Sequence, residues 1–259
     1  MNTQVLEAHQ QEVVARVIAE EEAKRPHLVI ALSGAHAYGF PSPDSDVDLK
    51  AVHVEPTARL LGLLRGGASP TRMEVIDGVE IDYTSNEIHP VLLGVLQGNG
   101  NYIERILGSL QLHVDPDLAS LRPLVADALS RRIFRHYVGF ATSQLRAWEA
   151  GGRTSAKQLL YVLRTALTGA HALRTGEIVT DVTALLDLYG FSAARELIEA
   201  KRAGEKSTLS AEAAGRWAEQ ISRAFTTLEA AHDRAVLPEE PRNQDDLDDW
   251  LLTLRKARL

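Results

Sequence analysis

The chain has 259 residues, with 28 Lys and Arg against 35 Asp and Glu, which gives a formal net charge of −7. This acidic balance excludes a protein that coats nucleic acid with a uniformly basic surface. Because the chain contains no cysteine, disulfides, thiolate zinc sites and cysteine nucleophiles are excluded as well.

The first predicted element is a helix. Apolar residues recur at a helical spacing over residues 3–25, and Pro26 ends the pattern. This segment is charged and amphipathic, unlike a secretory leader, and no later stretch is apolar for the 18 or more residues that a membrane span needs. We therefore expect a soluble cytoplasmic protein that has no membrane partner.

Three strands are predicted after this helix. Residues 27–33 form a short apolar, β-branched run that ends at Gly34, and residues 47–54 alternate between apolar and polar side chains. Residues 78–84 alternate in the same way. The first part of the chain is therefore predicted to be mixed α/β.

From residue 86 onwards the apolar pattern becomes helical. A helix through residue 95 and a short helix to about residue 107 are separated by a Gly-Asn break at residues 98–101. Helices are then predicted over residues 118–149, 155–175, 181–189, 192–203, 210–235 and 244–259. The pattern predicts an α+β chain, with a mixed α/β part over residues 1–117 and an all-α part over residues 118–259.

Positive charge is concentrated in one helical segment. Residues 130–174 contain eight Lys and Arg and the single acid Glu149, which gives a local charge of +7. A solvated helical face normally interleaves acids with bases, so this segment favours an anionic partner. An ordinary solvated basic face is the alternative.

The candidate chemical groups begin where the first predicted strand ends. Ser33 and Gly34 follow this strand, and a residue without a side chain lets phosphate oxygens approach backbone N–H groups. Asp46 and Asp48 are two residues apart on the next strand, so both carboxylates lie on one face. We interpret these residues as a phosphate cradle followed by a carboxylate pair.

A third carboxylate is available on the strand at residues 78–84. Asp82 lies opposite the apolar residues of that strand, and Glu80 shares its face and is the alternative third acid. Three carboxylates beside a phosphate cradle suit two Mg²⁺ ions, which stabilise the attacking and leaving oxygens of phosphoryl or nucleotidyl transfer. A single Asp-x-Asp is usually a solvated strand or turn, whereas the ordered set predicts a metal site at Asp46, Asp48 and Asp82.

Four short runs follow one another along the chain. They are Ser33-Gly-Ala-His-Ala-Tyr-Gly39, Ser45-Asp-Val-Asp48, Asp82-Tyr-Thr84 and Gly98-Asn-Gly-Asn101. Together they resemble the DNA polymerase β-like nucleotidyltransferase superfamily, and most closely the stand-alone predicted nucleotidyltransferases of bacteria and phages that are associated with RNA-repair ligases. The resemblance continues more weakly through Lys157-Gln-Leu-Leu-Tyr161, and this chain has Ser33-Gly34 where the family has Gly-Ser or Gly-Gly.

The resemblance implies a fold, a reaction and roles for the site residues. The fold would be a minimal nucleotidyltransferase mixed β-sheet with helices, forming a catalytic domain over residues 1–117, then an all-α substrate-binding domain over residues 118–259, with the active site in the cleft between them. The reaction would transfer NMP from an NTP to a hydroxyl acceptor and release pyrophosphate, with Mg²⁺ or Mn²⁺ as cofactor. The resemblance suggests an RNA end as this acceptor, and a protein hydroxyl or a small molecule is the alternative. Asp46 and Asp48 would bind both metal ions, and Asp82 would bind the second ion and act as general base. Ser33 and Gly34 would hold the β- and γ-phosphates.

Basic residues of the helical part are candidate contacts to the substrates. Lys157, Tyr161 and Arg164 lie at i, i+4 and i+7 of one helix, where they could neutralise the triphosphate and stack on a base. Arg131, Arg132 and Arg135 are assigned to the acceptor. Two other classes stay open, namely a non-catalytic nucleotide-binding or regulatory module and an interaction protein that docks through its basic helices.

Overall fold

The computed structural model describes residues 5–61, 63, 69–203 and 209–259, and these residues pack into two units. The described residues within Met1–His36, Asp46–Leu129 and Pro241–Leu259 form the first unit, and those within Ala37–Ser45 and Ser130–Glu240 form the second. The chain therefore passes between the units several times. The sequence predicted a catalytic domain over residues 1–117 and a substrate-binding domain over residues 118–259, and this assignment of roles stays a prediction.

The described part of the first unit contains one mixed sheet. Its strands are β1 (His27–Leu32), β2 (Val47–His53), β3 (Thr71–Ile76), β4 (Val79–Glu87) and β5 (Gln111–Val114). They lie in the order β3-β4-β2-β1-β5. Strands β2 and β4 are parallel, and the other neighbouring pairs are antiparallel. The predicted mixed α/β part is confirmed.

The local sequence pattern predicted the three central strands but neither edge strand. Strands β1, β2 and β4 match the predicted runs within a few residues. Strand β3 exposes the apolar side chains of Met73 and Val75, so its pattern is not that of a half-buried strand, and β5 has only four residues. Hydrogen bonds to β4 and β1 define these edge strands.

Helices make up most of the remaining described chain. In chain order they are α1 (Ala8–Glu22), α2 (Gly34–Ala37), α3 (Thr57–Leu61), α4 (Ile88–Leu96), α5 (Gly100–Leu107), α6 (Leu118–Asp127), α7 (Ile133–Ala150), α8 (Ala156–Thr175), α9 (Thr183–Leu186), α10 (Arg195–Arg202), α11 (Ala211–Asp233) and α12 (Gln244–Ala257). Within the described ranges, none of these helices is both long and apolar enough to cross a membrane. The predicted fold class, a mixed sheet with helices followed by further helices, is confirmed.

The structure corrects several predicted helix limits. Residues 118–149 contain two helices, because the chain passes from the first unit to the second between α6 and α7. Residues 181–189 are helical only over α9, and the Asp181 carboxylate accepts a hydrogen bond from the Thr183 N–H at its start. Helix α1 is shorter than the predicted 3–25, of which residues 3 and 4 lie outside the described residues.

Helix α1 covers one face of the sheet. Its apolar side chains are buried against alternate residues of the strands, namely Ile30, Leu32, Val47, Leu49, Ala51, Val79, Ile81 and Tyr83. The residues between them at the starts of β2 and β4 are polar and at least partly exposed. This alternation assigns the opposite face of β2 and β4 to polar side chains.

Helix α8 is central to the second unit. It packs against α7, α10 and α11, and every residue from Val162 to Leu173 is buried. Gly169 permits a close approach, because a Cβ atom there would lie 2.6 Å from the Tyr137 Cβ. The start of α8 is less buried than its middle, so this end can present polar side chains to a ligand.

Two buried histidines lie side by side in the sheet. His27 and His53 are partners in the register of β1 and β2, and they are 1% and 3% exposed. His27 Nε2 lies 2.6 Å from the Tyr83 hydroxyl, and His53 Nδ1 lies 2.7 Å from the Ser85 hydroxyl. Burial lowers the pKa of His27, and it lowers the pKa of His53 to about 4. Both imidazoles are therefore neutral at pH 7.

Protonation of His53 is expected to make stability depend on pH. Repulsion from His27, Arg25 and Arg255 adds to the effect of burial on its pKa, whereas the nearby Glu55 carboxylate lies 3.6 Å from Nε2. The unfolded imidazole binds a proton near its ordinary pKa of about 6.5, so this residue's contribution to stability is full above that pH and is lost as pH falls toward 4.

The free energy of unfolding of the unaltered chain should fall between pH 7.5 and pH 5, because the unfolded state takes up a proton at His53. We expect this fall to be smaller in His53→Gln, which has no imidazole to protonate. The difference should be about 2 kcal/mol, because at pH 5 the unfolded imidazole binds a proton that the buried imidazole, with a pKa of about 4, does not bind. Urea unfolding at the two pH values measures it. Equal losses in both proteins would contradict the role of His53.

Candidate active site

The turn after β1 brings a carboxylate against the backbone. Gly34 has a φ of +61° and begins the short helix α2. A Cβ atom at this position would lie 1.8 Å from Asp48 Oδ2. Glycine is required here, because L-residues rarely adopt this φ and because the Asp48 carboxylate occupies the space.

Asp48 and Asp82 lie side by side on adjacent strands of the sheet. They are partners in the register of the parallel strands β2 and β4, so their Cα atoms are about 4.8 Å apart. The Asp48 side chain is 17% exposed and the Asp82 side chain is 31% exposed. Lys50 lies two residues after Asp48, and Asp46 lies two residues before it and is partly exposed. The strand period places Asp48 and Lys50 on one face, whereas Asp46 lies just before the first residue of β2, which corrects its predicted place on the strand.

The Lys50 ammonium group bridges the two facing carboxylates. Its Nζ atom lies 3.3 Å from Asp48 Oδ1 and 2.9 Å from Asp82 Oδ2. Burial raises the pKa of Asp48 to about 6, the charges of Asp46 and Asp82 act in the same direction, and Lys50 opposes them. The site therefore gathers negative charge that needs a cation, and Lys50 supplies one.

The donor set suits a hard divalent cation. Mg²⁺ and Mn²⁺ prefer carboxylate oxygens, and the Lys50 ammonium marks a position between Asp48 and Asp82 that already holds positive charge. In the described part of the chain, no three carboxylate or imidazole groups are gathered as a ready metal site. The chemistry of the Asp46, Asp48 and Asp82 oxygens suits a divalent ion, but an ion between Asp48 and Asp82 would have to displace the Lys50 ammonium, and the predicted metal site stays a prediction.

Two other predicted residues lie beside this pair. Glu80 shares a face of β4 with Asp82, but it lies two residues earlier and is exposed. Ser33 donates its N–H to the Asp48 carbonyl at 2.9 Å, so this amide belongs to the backbone pairing and not to a phosphate cradle. The phosphate contacts of Ser33 and Gly34 stay a prediction.

The predicted nucleotide contacts lie in two environments within the second unit. Lys157 and Tyr161 line a cavity of about 390 Å³ at the start of α8. Arg164 is 3% exposed, and its guanidinium carbon lies 3.7 Å from the centre of the Tyr38 ring. This cation–π contact accounts for the burial of Arg164 in packed aromatic surroundings.

The predicted acceptor contacts Arg131 and Arg132 have acidic partners within the chain. Arg131 Nη1 lies 2.6 Å from Glu239 Oε1, and Arg132 pairs with Glu240. These groups are partly exposed, so each pair stabilises the fold by at most about 1 kcal/mol. Part of the positive charge of the basic segment is thus offset within the chain, and the contacts of these arginines to an acceptor stay a prediction. Arg135 is exposed.

Two lysines with defined contacts were not assigned a role from the sequence. Lys50 was placed on the polar face of its strand without a function. Lys201 of α10 is 1% exposed, and its Nζ donates to Ser42 Oγ at 2.8 Å and to Ser45 Oγ at 3.0 Å. It thus stabilises the turn that directly precedes Asp46 in the chain. No local sequence pattern could link Lys201 to this turn, because 156 residues separate Lys201 from Ser45.

Comparison with known proteins gives matches over most of the chain. A model of the family described as RlaP, RNA repair pathway DNA polymerase beta family, matches residues 6–253. The uncharacterized protein MJ0002 of Methanocaldococcus jannaschii is 28% identical over 178 residues, which cover 67% of this chain and 72% of that protein. A solved structure of a nucleotidyltransferase-like protein from Exiguobacterium sibiricum aligns with a TM-score of 0.36 and 12% identity, over 96% of this chain and 80% of that one.

Proposed function

Since the chain belongs to the RNA repair pathway DNA polymerase beta family, we propose that it is a metal-dependent nucleotidyltransferase that transfers NMP from an NTP to a hydroxyl acceptor. The observation that carries this proposal is the pairing of Asp48 with Asp82 on adjacent parallel strands, with Asp46 two residues before Asp48. Carboxylates gathered at a desolvated position repel one another unless a cation binds. A site of this kind suits metal-assisted transfer.

The proposed reaction exchanges one phosphorus–oxygen bond for another. The acceptor oxygen forms a bond to the α-phosphorus of the NTP, the bond from that phosphorus to the bridging oxygen breaks, and pyrophosphate leaves. Asp82, the more exposed of the two facing carboxylates, accepts the proton of the attacking hydroxyl. Asp46 and Asp48 would hold two Mg²⁺ or Mn²⁺ ions and Asp82 the second of them. When bound, the ions supply positive charge at the attacking and leaving oxygens.

The nucleotide contacts are proposed on the residues that the sequence indicated. Ser33 and Gly34 would contact the β- and γ-phosphates. Lys157 would neutralise phosphate charge and Tyr161 would stack on the base. Arg164 is buried against Tyr38, whereas Lys157 is partly exposed and lines the cavity, so Lys157 carries most of the proposed contact.

An RNA end is the proposed acceptor. The description of the matching family names an RNA repair pathway, which supports this choice over a protein hydroxyl or a small molecule. Arg131, Arg132 and Arg135 would contact its phosphates, and Arg135 is the most exposed of the three. Such contacts would position RNA without reading its sequence.

A transfer assay tests the proposed function. The purified chain is incubated with each α-phosphate-labelled NTP, with Mg²⁺ or Mn²⁺, and with RNAs that carry free 3′ or 5′ hydroxyls. We expect label on RNA and an equal amount of released pyrophosphate. Label on a protein or small-molecule acceptor would overturn the RNA assignment alone, and the absence of transfer to every acceptor would overturn the enzymatic proposal.

One observation favours a second candidate, a non-catalytic nucleotide-binding or regulatory module. The Lys50 ammonium lies between Asp48 and Asp82 and offsets part of their charge, as it would in a protein that binds a nucleotide but does not catalyse transfer. Such a module would bind NTP in the same assay without releasing pyrophosphate. Pyrophosphate release that depends on metal and acceptor would exclude it.

Lys50→Met is expected to destabilise the metal-free protein by about 2 kcal/mol, because two partly buried carboxylates lose their shared cation. Mg²⁺ should then stabilise the variant more than the unaltered chain, since the ion no longer competes with the ammonium group. Thermal unfolding with and without MgCl₂ measures both effects, with Lys256→Met, an exposed lysine of α12, as control. Equal Mg²⁺ shifts in all three proteins would contradict a metal site beside Lys50.

A further inference from the structure

A cavity within the second unit is lined by five side chains that each carry a hydrogen-bonding group. Its volume is about 390 Å³, and it is lined by Gln144 of α7 together with Ser155, Lys157, Gln158 and Tyr161 at the start of α8. This volume lies within the usual range for small-molecule sites. All five side chains are partly buried, so the cavity suits a polar ligand of moderate size.

The charge and the aromatic wall of this cavity favour a ligand that is both anionic and planar. Among the described residues that line it, Lys157 carries a positive charge and none carries a negative charge. The Tyr161 ring is packed edge-to-face against Tyr38 and Phe40, with centroid distances of 5.8 and 5.5 Å. These contacts hold the Tyr161 ring in place, so stacking on a ligand would require little reordering of its side chain.

The lining also contains two carboxamide side chains, those of Gln144 and Gln158. These groups are uncharged, so they do not serve to neutralise the charge of an anionic ligand. Each carboxamide presents a donor and an acceptor side by side, which matches the paired groups on the edge of a nucleobase. Gln144 and Gln158 belong to different helices and so approach the cavity from two sides. The backbone of Gln158 is fixed in the first turn of α8, where its N–H donates to Ser155 Oγ at 3.2 Å.

We propose that Gln144 and Gln158 determine which nucleobase the protein accepts, while Tyr161 stacks on that base and Lys157 contacts a phosphate. The inference rests on the proposed function, because it takes an NTP as the ligand. Phosphates are common to all four NTPs, whereas the base edges differ. Loss of a glutamine should therefore change the preference among the four NTPs, whereas loss of Lys157 should change the affinity for all of them.

The test is a calorimetric titration of the purified chain with ATP, GTP, CTP and UTP, with Ca²⁺ in place of Mg²⁺ to suppress transfer. Gln144→Met and Gln158→Met keep the length of the side chain and remove its paired donor and acceptor. We expect each to reduce the ratio of Kd values between the disfavoured NTPs and the preferred NTP by about 10-fold. Lys157→Met should weaken all four NTPs by a similar factor.

Two outcomes would overturn the inference. One is that the unaltered chain binds all four NTPs with equal affinity, and the other is that both glutamine variants keep the preference of the unaltered chain. If the glutamine variants keep the preference while the chain still transfers NMP, only this inference fails; if no NTP binds and no transfer occurs, the proposed function fails with it. Circular dichroism checks folding, and Gln144→Met, on a different helix, gives an independent result if Gln158→Met does not fold.

Discussion

Asp48→Asn is expected to lower the rate of NMP transfer by about 10³-fold or more. The amide keeps the shape of the side chain but removes the charge that faces Asp82 across the sheet. Asp48 is the more buried carboxylate of this pair, so water compensates poorly for the lost charge. Label transfer at saturating NTP, with Mg²⁺ and separately with Mn²⁺, measures the effect.

The same substitution should leave the fold intact or stabilise it. In the metal-free protein Asp48 is a desolvated carboxylate that is repelled by Asp46 and Asp82, so removal of its charge relieves an unfavourable interaction. The thermal unfolding midpoint of Asp48→Asn without metal is therefore expected to equal or exceed that of the unaltered chain. Asp44→Asn, an exposed acid just before the pair, is the matched control and should retain transfer. Transfer by Asp48→Asn at the unaltered rate would contradict the proposed role of this carboxylate.

The site illustrates what strand periodicity can and cannot predict. Alternation along one strand is a local property, and it correctly separated the polar face of Asp48 and Lys50 from the buried face of β2. Which acid of β4 stands opposite Asp48 depends on the register of two strands that are distant in sequence. Both Glu80 and Asp82 satisfy the local pattern, so only the pairing itself distinguishes them.

The same limit applies to the ion pairs. The sequence identified a basic segment with almost no acids, but Arg131 and Arg132 pair with Glu239 and Glu240 from beyond that segment. The bridge from Lys50 to two carboxylates is equally invisible to a linear pattern, because each contact depends on the three-dimensional arrangement of the strands. Local periodicity thus predicted elements and faces, whereas partners required tertiary structure.

Helical spacing gave a similar partial result for the proposed nucleotide contacts. It placed Lys157, Tyr161 and Arg164 along one side of α8, but it could not show that this side changes from a polar cavity to an aromatic core within two turns. Arg164 is buried on the ring of Tyr38, whereas Lys157 lines the cavity. The change follows from the packing of residues 37–45 within the second unit, which no pattern within α8 encodes.

Gly34→Ala is expected to lower NMP transfer by at least about 10²-fold and to destabilise the protein by roughly 2–4 kcal/mol. The new methyl group would lie 1.8 Å from Asp48 Oδ2, so the carboxylate must move. The β2 backbone is paired on both sides, with β1 and β4, so the strand as a whole resists displacement and the Asp48 side chain must leave its position opposite Asp82. Part of the cost in stability, about 1–2 kcal/mol, comes from the φ of +61° alone.

Gly78→Ala separates the displacement of Asp48 from this backbone strain. Gly78 lies in the turn between β3 and β4 with a φ of +83°, and a Cβ atom there would meet nothing within 4 Å. This variant should lose about 1 kcal/mol of stability and keep its rate of transfer. Urea unfolding and label transfer on both variants give the comparison, in which any additional loss in Gly34→Ala reports the contact with Asp48. If the two variants transfer NMP equally fast, the close approach of Asp48 to residue 34 is not needed for the reaction, and the carboxylate acts from another position.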